Sequence, residues 1–149
     1  MEQRAKTIKI VSLKMVRESS LRSQYGRISA PEDVKLMIME LIGNNDREHF
    51  GVICIDTKNI PTHINIVSIG TLNSSMVHPR EVFKAAILSN SASVILFHNH
   101  PSGNTSPSKT DVDITERLIE AGRIIGIEVI DHVIVSDVEY LSMKEKNLL

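Results

Sequence analysis

Apolar and polar positions divide the chain into strand-like and helix-like blocks. Residues 7–16 alternate loosely, with Ile8, Ile10, Leu13 and Met15 apolar, and predict a strand or an extended arm. Ser29-Ala30-Pro31-Glu32-Asp33 marks a helix start, with Ser29 as cap, Pro31 in the first turn and two acids near the positive dipole end. Val34, Leu36, Met37, Met39, Leu41 and Ile42 supply its apolar face, and Gly43-Asn44-Asn45 stops it. Residues 50–56 then predict a buried strand, 56–61 a turn, and 64–70 the strand's hairpin partner.

After the polar Asn73-Ser74-Ser75, Pro79 opens a second helix carrying Val82, Phe83, Ala86 and Ile87. Residues 93–97 are apolar after Ser93, as a central strand requires. A loop rich in Pro, Gly, Ser, Asn and Thr follows over 101–107. The third helix runs from about 108 to 125, with Ile114, Leu118, Ala121 and Ile125 on one stripe, and residues 129–135 and 140–143 finish as strands. This order is neither strict βαβ alternation nor all-β. It predicts an α/β sandwich on a mixed sheet.

Composition narrows the class. With 149 residues, 42% hydrophobic and 23% charged, the chain suits one globular domain, and a disordered or collagen-like chain is excluded. The core must be aliphatic, because the aromatics are three Phe and two Tyr with no Trp. The single Cys54 excludes an intrachain disulfide scaffold and reads as a small buried hydrophobe in a reducing compartment. No run approaches the roughly 18 apolar residues of a membrane span, and the N-terminus lacks a secretory apolar block. A cytoplasmic protein is the expectation.

Charge is uneven. Residues 1–27 carry seven Lys/Arg against Glu2 and Glu18, a balance of +5, so the rest of this −1 chain sums to −6. We therefore read residues 1–28 as a basic arm ahead of one domain over 29–149. Such an arm suits a solvated first segment, or contact with nucleic acid or an acidic partner. Tyr25 is the only aromatic among its charges, so a stacking platform for single strands is not indicated.

The chemistry concentrates in Phe97-His98-Asn99-His100-Pro101-Ser102-Gly103, followed by Ser108 and Asp111. His98 and His100 are two apart at the end of an apolar strand, so both project from one face. That is half of a tetrahedral zinc site. Asp111 lies three residues before Ile114 on the third helix's buried stripe, and the loop over 101–110 can bring it back over the strand end. A His₂Asp set leaves a fourth position for water, the mark of a catalytic zinc site. Ser108-x-x-Asp111 is also a capping box, which needs no metal. Yet in a chain of this composition the four-residue pattern would arise by chance roughly once in a thousand.

Hydrolysis further needs a carboxylate that is not a ligand, and Glu48 and Glu81 are the candidates. Glu48 directly precedes the strand over 50–56. Glu81 sits in a helix's first turn, where a carboxylate already has a structural reason to be. His132 either steadies the metal site from behind or is a satisfied core histidine. His49, His63 and His78 read as surface or satisfied residues.

His98-x-His100-x₇-Ser108-x₂-Asp111 resembles the JAMM signature of the MPN+/JAB metalloproteases. The flanking text resembles the RadC-type branch over roughly residues 30–145: Asp46-Arg47-Glu48-His49-Phe50, Gly70-Thr71-Leu72, His78-Pro79-Arg80-Glu81, His98-Asn99-His100-Pro101-Ser102-Gly103 and Asp131-His132-Val133. The resemblance implies a cytidine-deaminase-like α-β-α sandwich with one Zn²⁺ per chain. It implies His98, His100 and Asp111 as ligands, Glu48 as general acid/base, and Ser108 as the serine that steadies the water or the oxyanion. The implied activity is hydrolysis of a peptide or isopeptide bond in a peptide or protein substrate. The alternative is a DNA-repair-associated accessory module with a non-catalytic zinc site, resting on the basic arm. Deamination on this fold would need a P-C-x-x-C thiolate pair, which one Cys cannot supply.

Overall fold

A computed structural model describes residues 5–22, 26–42, 46–72 and 77–149. Their elements are α1 (Pro31–Ile42), β1 (His49–Ile55), β2 (Pro61–Ile69), α2 (Pro79–Leu88), β3 (Ser93–Asn99), α3 (Lys109–Ile125), β4 (Glu128–Val135) and β5 (Tyr140–Ser142). The strands form one sheet in the order β2-β1-β3-β4-β5. Only β3 and β4 are parallel, and α3 makes the crossover between them. The sheet is mixed, as the element order predicts.

Strand alternation sorts the core into two layers. Val52, Cys54, Val94 and Leu96 face α2 and α3, meeting Val82, Phe83, Ala86, Ile114 and Leu118. Ile53, Ile55, Ile95 and Phe97 face α1, meeting Val34, Met37, Ile38 and Ile42. The result is an α-β-α sandwich, with β3 buried on both faces and hence apolar along most of its length. Cys54 is buried as expected, and burial pushes its thiol pKa up. Among the described residues, no helix is long and apolar enough to cross a membrane.

Several local expectations are corrected. Residues 7–16 join neither helix nor sheet, because an alternating pattern makes a strand only beside a partner edge. Ser29 lies one position too early to cap α1. The Asp33 carboxylate instead accepts from the Ser29 and Ala30 N–H groups, at 2.8 and 3.1 Å. Leu36, Leu41 and Ile87 face solvent. On α3 the buried stripe runs Asp111, Ile114, Thr115, Leu118, Gly122, and so misses Ile125. β2 begins at Pro61 and not at 64, because the Asp56 side chain accepts from the N–H groups of Lys58 and Ile60 and tightens the turn. The helix stop at 43–45 and the polar link at 73–75 lie outside the described residues.

One register slip bears on the site. Val94 pairs with Val129, but Ile95 pairs with Asp131, so β4 carries an extra residue at Ile130. The slip turns Asp131 toward α1 and His132 toward α3. Asp131 holds this arrangement by accepting from the His132 and Lys144 N–H groups and the Ser142 hydroxyl, at 2.7, 3.1 and 2.6 Å.

Candidate metal centre

His98 occupies the penultimate position of β3 and His100 follows its end, still bonded to β4 through its N–H to the Val135 carbonyl. His98 therefore sits on a rigid strand paired on both sides, and His100 is held to β4 just beyond its end. Asp111 reaches them from the first turn of α3. His98 Nε2 lies 3.3 Å from Asp111 Oδ1, His100 Nε2 lies 3.2 Å from Oδ2, and the two Nε2 atoms are 2.8 Å apart. His98 and Asp111 are buried, and His100 is partly open.

The capping box is present as well. Ser108 Oγ accepts from Asp111 N–H at 3.0 Å, and Asp111 Oδ2 accepts from Ser108 N–H at 2.8 Å. Cap and cluster are thus not alternatives. The cap fixes the Asp111 rotamer that aims the carboxylate at the imidazoles.

Hydrogen bonds behind the rings determine their tautomers. His100 Nδ1 is 2.7 Å from the Asn104 carbonyl, which can only accept, so Nδ1 carries the proton and Nε2 a lone pair. The Thr115 hydroxyl donates to the Asp111 backbone carbonyl at 2.6 Å and must therefore accept from His132 Nδ1, also at 2.6 Å. His132 Nε2 then accepts from His98 Nδ1 at 2.7 Å, which leaves a lone pair on His98 Nε2. This buried relay joins two of the converging residues through β4.

The front of the cluster therefore presents two imidazole lone pairs and a carboxylate, with no proton of their own between them. Such a donor set demands a cation. Zinc–nitrogen bonds of about 2.0–2.1 Å place tetrahedral donors about 3.3 Å apart, which the two imidazole–carboxylate spacings match, while the two Nε2 atoms at 2.8 Å would part slightly around the ion. The three residues fit a zinc ion with a fourth position open, and among the described residues they are a group that could hold a metal ion.

Protonation follows burial and charge. Burial lowers the His98 pKa against the opposing pull of Asp111, and burial holds His132 well below its ordinary value, so both stay neutral. The Asp111 carboxylate raises His100, drawing a cation, a proton or a metal ion, to the lone pair on its Nε2. Burial alone would raise Asp111, but the facing His100 and His98 rings hold it far below the usual carboxylate range.

Glu48 stands at the rim. Asn99 points away from the imidazoles, and its side chain accepts from His49 N–H at 2.6 Å while donating to the Arg47 carbonyl at 2.9 Å. This clamp brackets Glu48 and pins it beside the end of β3. The Glu48 carboxylate accepts from Leu72 N–H at 3.4 Å, and its charge pulls upward on His98 and His100 alike, adding to the rise of His100 and opposing the fall that burial imposes on His98. Glu81 is elsewhere, exposed on α2 and paired with Lys84 at 2.8 Å. The residue pattern alone left these two carboxylates open, and the structure brings only Glu48 to the cluster. His78 caps α2, its ring accepting from Arg80 N–H. Phe50 stacks on His98 with ring centroids 6.2 Å apart and covers the cluster's inner side.

Sequence reasoning missed Thr115 and the Asn99 clamp. Thr115 had one available signal, its place four residues after Asp111 on the same helical stripe. Thr115→Val is expected to leave the helix formed but to weaken zinc binding about 10–100-fold by competition with a chromophoric chelator. Unchanged zinc affinity would show that the relay does not orient His98.

Comparison with known proteins agrees with this picture. The model of the RadC-like JAB domain family matches residues 28–148. A UPF0758 protein of Desulfitobacterium hafniense (strain DSM 10664 / DCB-2) is 52% identical over 122 residues, covering 82% of this chain and 54% of the relative. A UPF0758 protein of Rubrobacter xylanophilus is 51% identical over 144 residues, covering 95% of this chain and 63% of the relative. The chain thus spans little more than half the length of these curated relatives.

Proposed function

This chain belongs to the RadC-like JAB domain family, and on that premise we propose that it is a zinc-dependent metallohydrolase of the JAMM type that cleaves a peptide or isopeptide bond. One observation carries the reading: two imidazole lone pairs, each fixed by a bond behind the ring, converge with a buried carboxylate.

His98, His100 and Asp111 would hold the ion. A zinc ion with an open fourth position supplies a water whose pKa falls from about 15.7 toward 7, and a Lewis acid for the scissile carbonyl. Glu48, held at the rim and outside the ligand set, accepts the proton of the attacking water. It then delivers that proton to the departing amine. Ser108, at the mouth of α3, offers a hydroxyl and the helix's N-terminal end to the developing oxyanion. Asn99 keeps Glu48 in reach, and Phe50 keeps bulk water from the inner side of His98.

The test is hydrolysis of quenched peptides and of lysine-linked isopeptides by the purified chain. Cleavage should vanish with a strong chelator and return on adding zinc, but not magnesium, because the N₂O donor set suits zinc and not a hard six-oxygen cation. Cleavage that survives complete chelation would refute the reading.

A further inference from the structure

β2 forms one border of the sheet, and its outer edge has no strand partner among the described residues. Its nine residues, PTHINIVSI, include no Lys, Arg, Asp or Glu. A long uncharged edge is a ready template for another strand, and proteins that leave such an edge free usually guard it with charge. Beside it runs a groove of about 1000 Å³, walled by residues 15–21 on one side and by β2 on the other. Met37, Leu41, Ala85 and Leu88 supply its apolar lining.

The arm leaves this groove just before Met15, and none of residues 5–14 lines it. Ile8, Ile10, Val11, Leu13 and Val16 are each at least 74% exposed. One chain thus holds a strand-patterned segment with no edge and a strand edge with no strand. Residues 7–14 at about 3.3 Å each span about 26 Å, close to the roughly 30 Å of β2. Folding back into its own groove would need a reversal near Met15. Residues 13–18 contain no Gly, Pro, Asn, Asp or Ser to make that turn.

We propose that two copies of this chain exchange arms, residues 7–14 of each lying in the groove of the other as a sixth strand on the outer edge of β2. The exchange is reciprocal, so it closes as a two-fold dimer and covers the outer edge of β2. It is independent of the zinc site.

Light scattering on the intact chain should give about twice its 16.6 kDa mass at micromolar concentration. Ile8→Asp/Ile10→Asp/Leu13→Asp should return the single-chain mass. These side chains stand in water, so the substitutions should leave the thermal melt of the fold cooperative. Cys54 is buried, which makes cysteine pairing specific: an Ile10→Cys chain mixed with a chain carrying His63→Cys, Asn65→Cys or Val67→Cys should form a disulfide between the two. A single-chain mass for the intact protein would overturn the proposal. So would a dimer indifferent to the triple substitution, or one without a cross-link at any of the three β2 positions. A single chain whose arm instead binds duplex DNA, with affinity falling steeply in salt, would assign the arm to nucleic acid and also overturn it.

Discussion

Glu48→Gln is expected to lower hydrolysis about 10²–10⁴-fold while the protein keeps its zinc, the range typical of losing a positioned general acid/base. Glutamine retains the shape of the side chain and an oxygen for the Leu72 N–H, so the rim keeps its structure. What it loses is the capacity to take a proton. The Asn99 clamp acts on the Arg47 and His49 backbone and is untouched. Glu81→Gln is the matching control: its carboxylate pairs with Lys84 on an exposed helix face and should change nothing measurable in turnover. Full activity in Glu48→Gln would remove Glu48 from the chemistry.

Asp111→Asn should separate the two roles that one side chain fills. An asparagine oxygen can still accept from Ser108 N–H, so the start of α3 should lose at most about 1 kcal/mol. The anionic ligand is gone, however, and with it the charge that offsets the cation. Zinc should then fall well below one per chain even after dialysis against excess metal, with hydrolysis falling alongside. Stoichiometric zinc in Asp111→Asn would mean that the carboxylate serves the helix alone. A collapse of the fold would mean that the cap matters more than the geometry at Ser108 indicates.

Much of the site was legible in the sequence because its spacing is local. Two histidines on one face of a strand follow from a period of two, and Asp111 faces inward because it shares a stripe with Ile114. The supporting residues were not legible, for a physical reason. His132 reaches His98 only because β4 slips by one residue at Ile130, and unbroken alternation from Val129 would have turned it toward α1. Asn99 acts on residues 50 positions away in the chain, through backbone groups that any sequence possesses. Ser29 failed as a cap for the opposite reason, since a strong local signal was displaced by the equally local Asp33. The apolar face of α1 was over-read at Leu36 and Leu41, where a sandwich with one helix on that side leaves the helix flanks in water. Residues 7–16 show the limit of pattern reading: alternation states which side chains share a face, and says nothing of the edge that receives them.

The most direct measurement is the metal content of the purified chain by mass spectrometry, with His98→Ala/His100→Ala prepared in parallel. About one zinc per chain, lost in the double variant, is the expected result. No zinc after reconstitution, or the same zinc in the double variant, would contradict a metal centre at the end of β3.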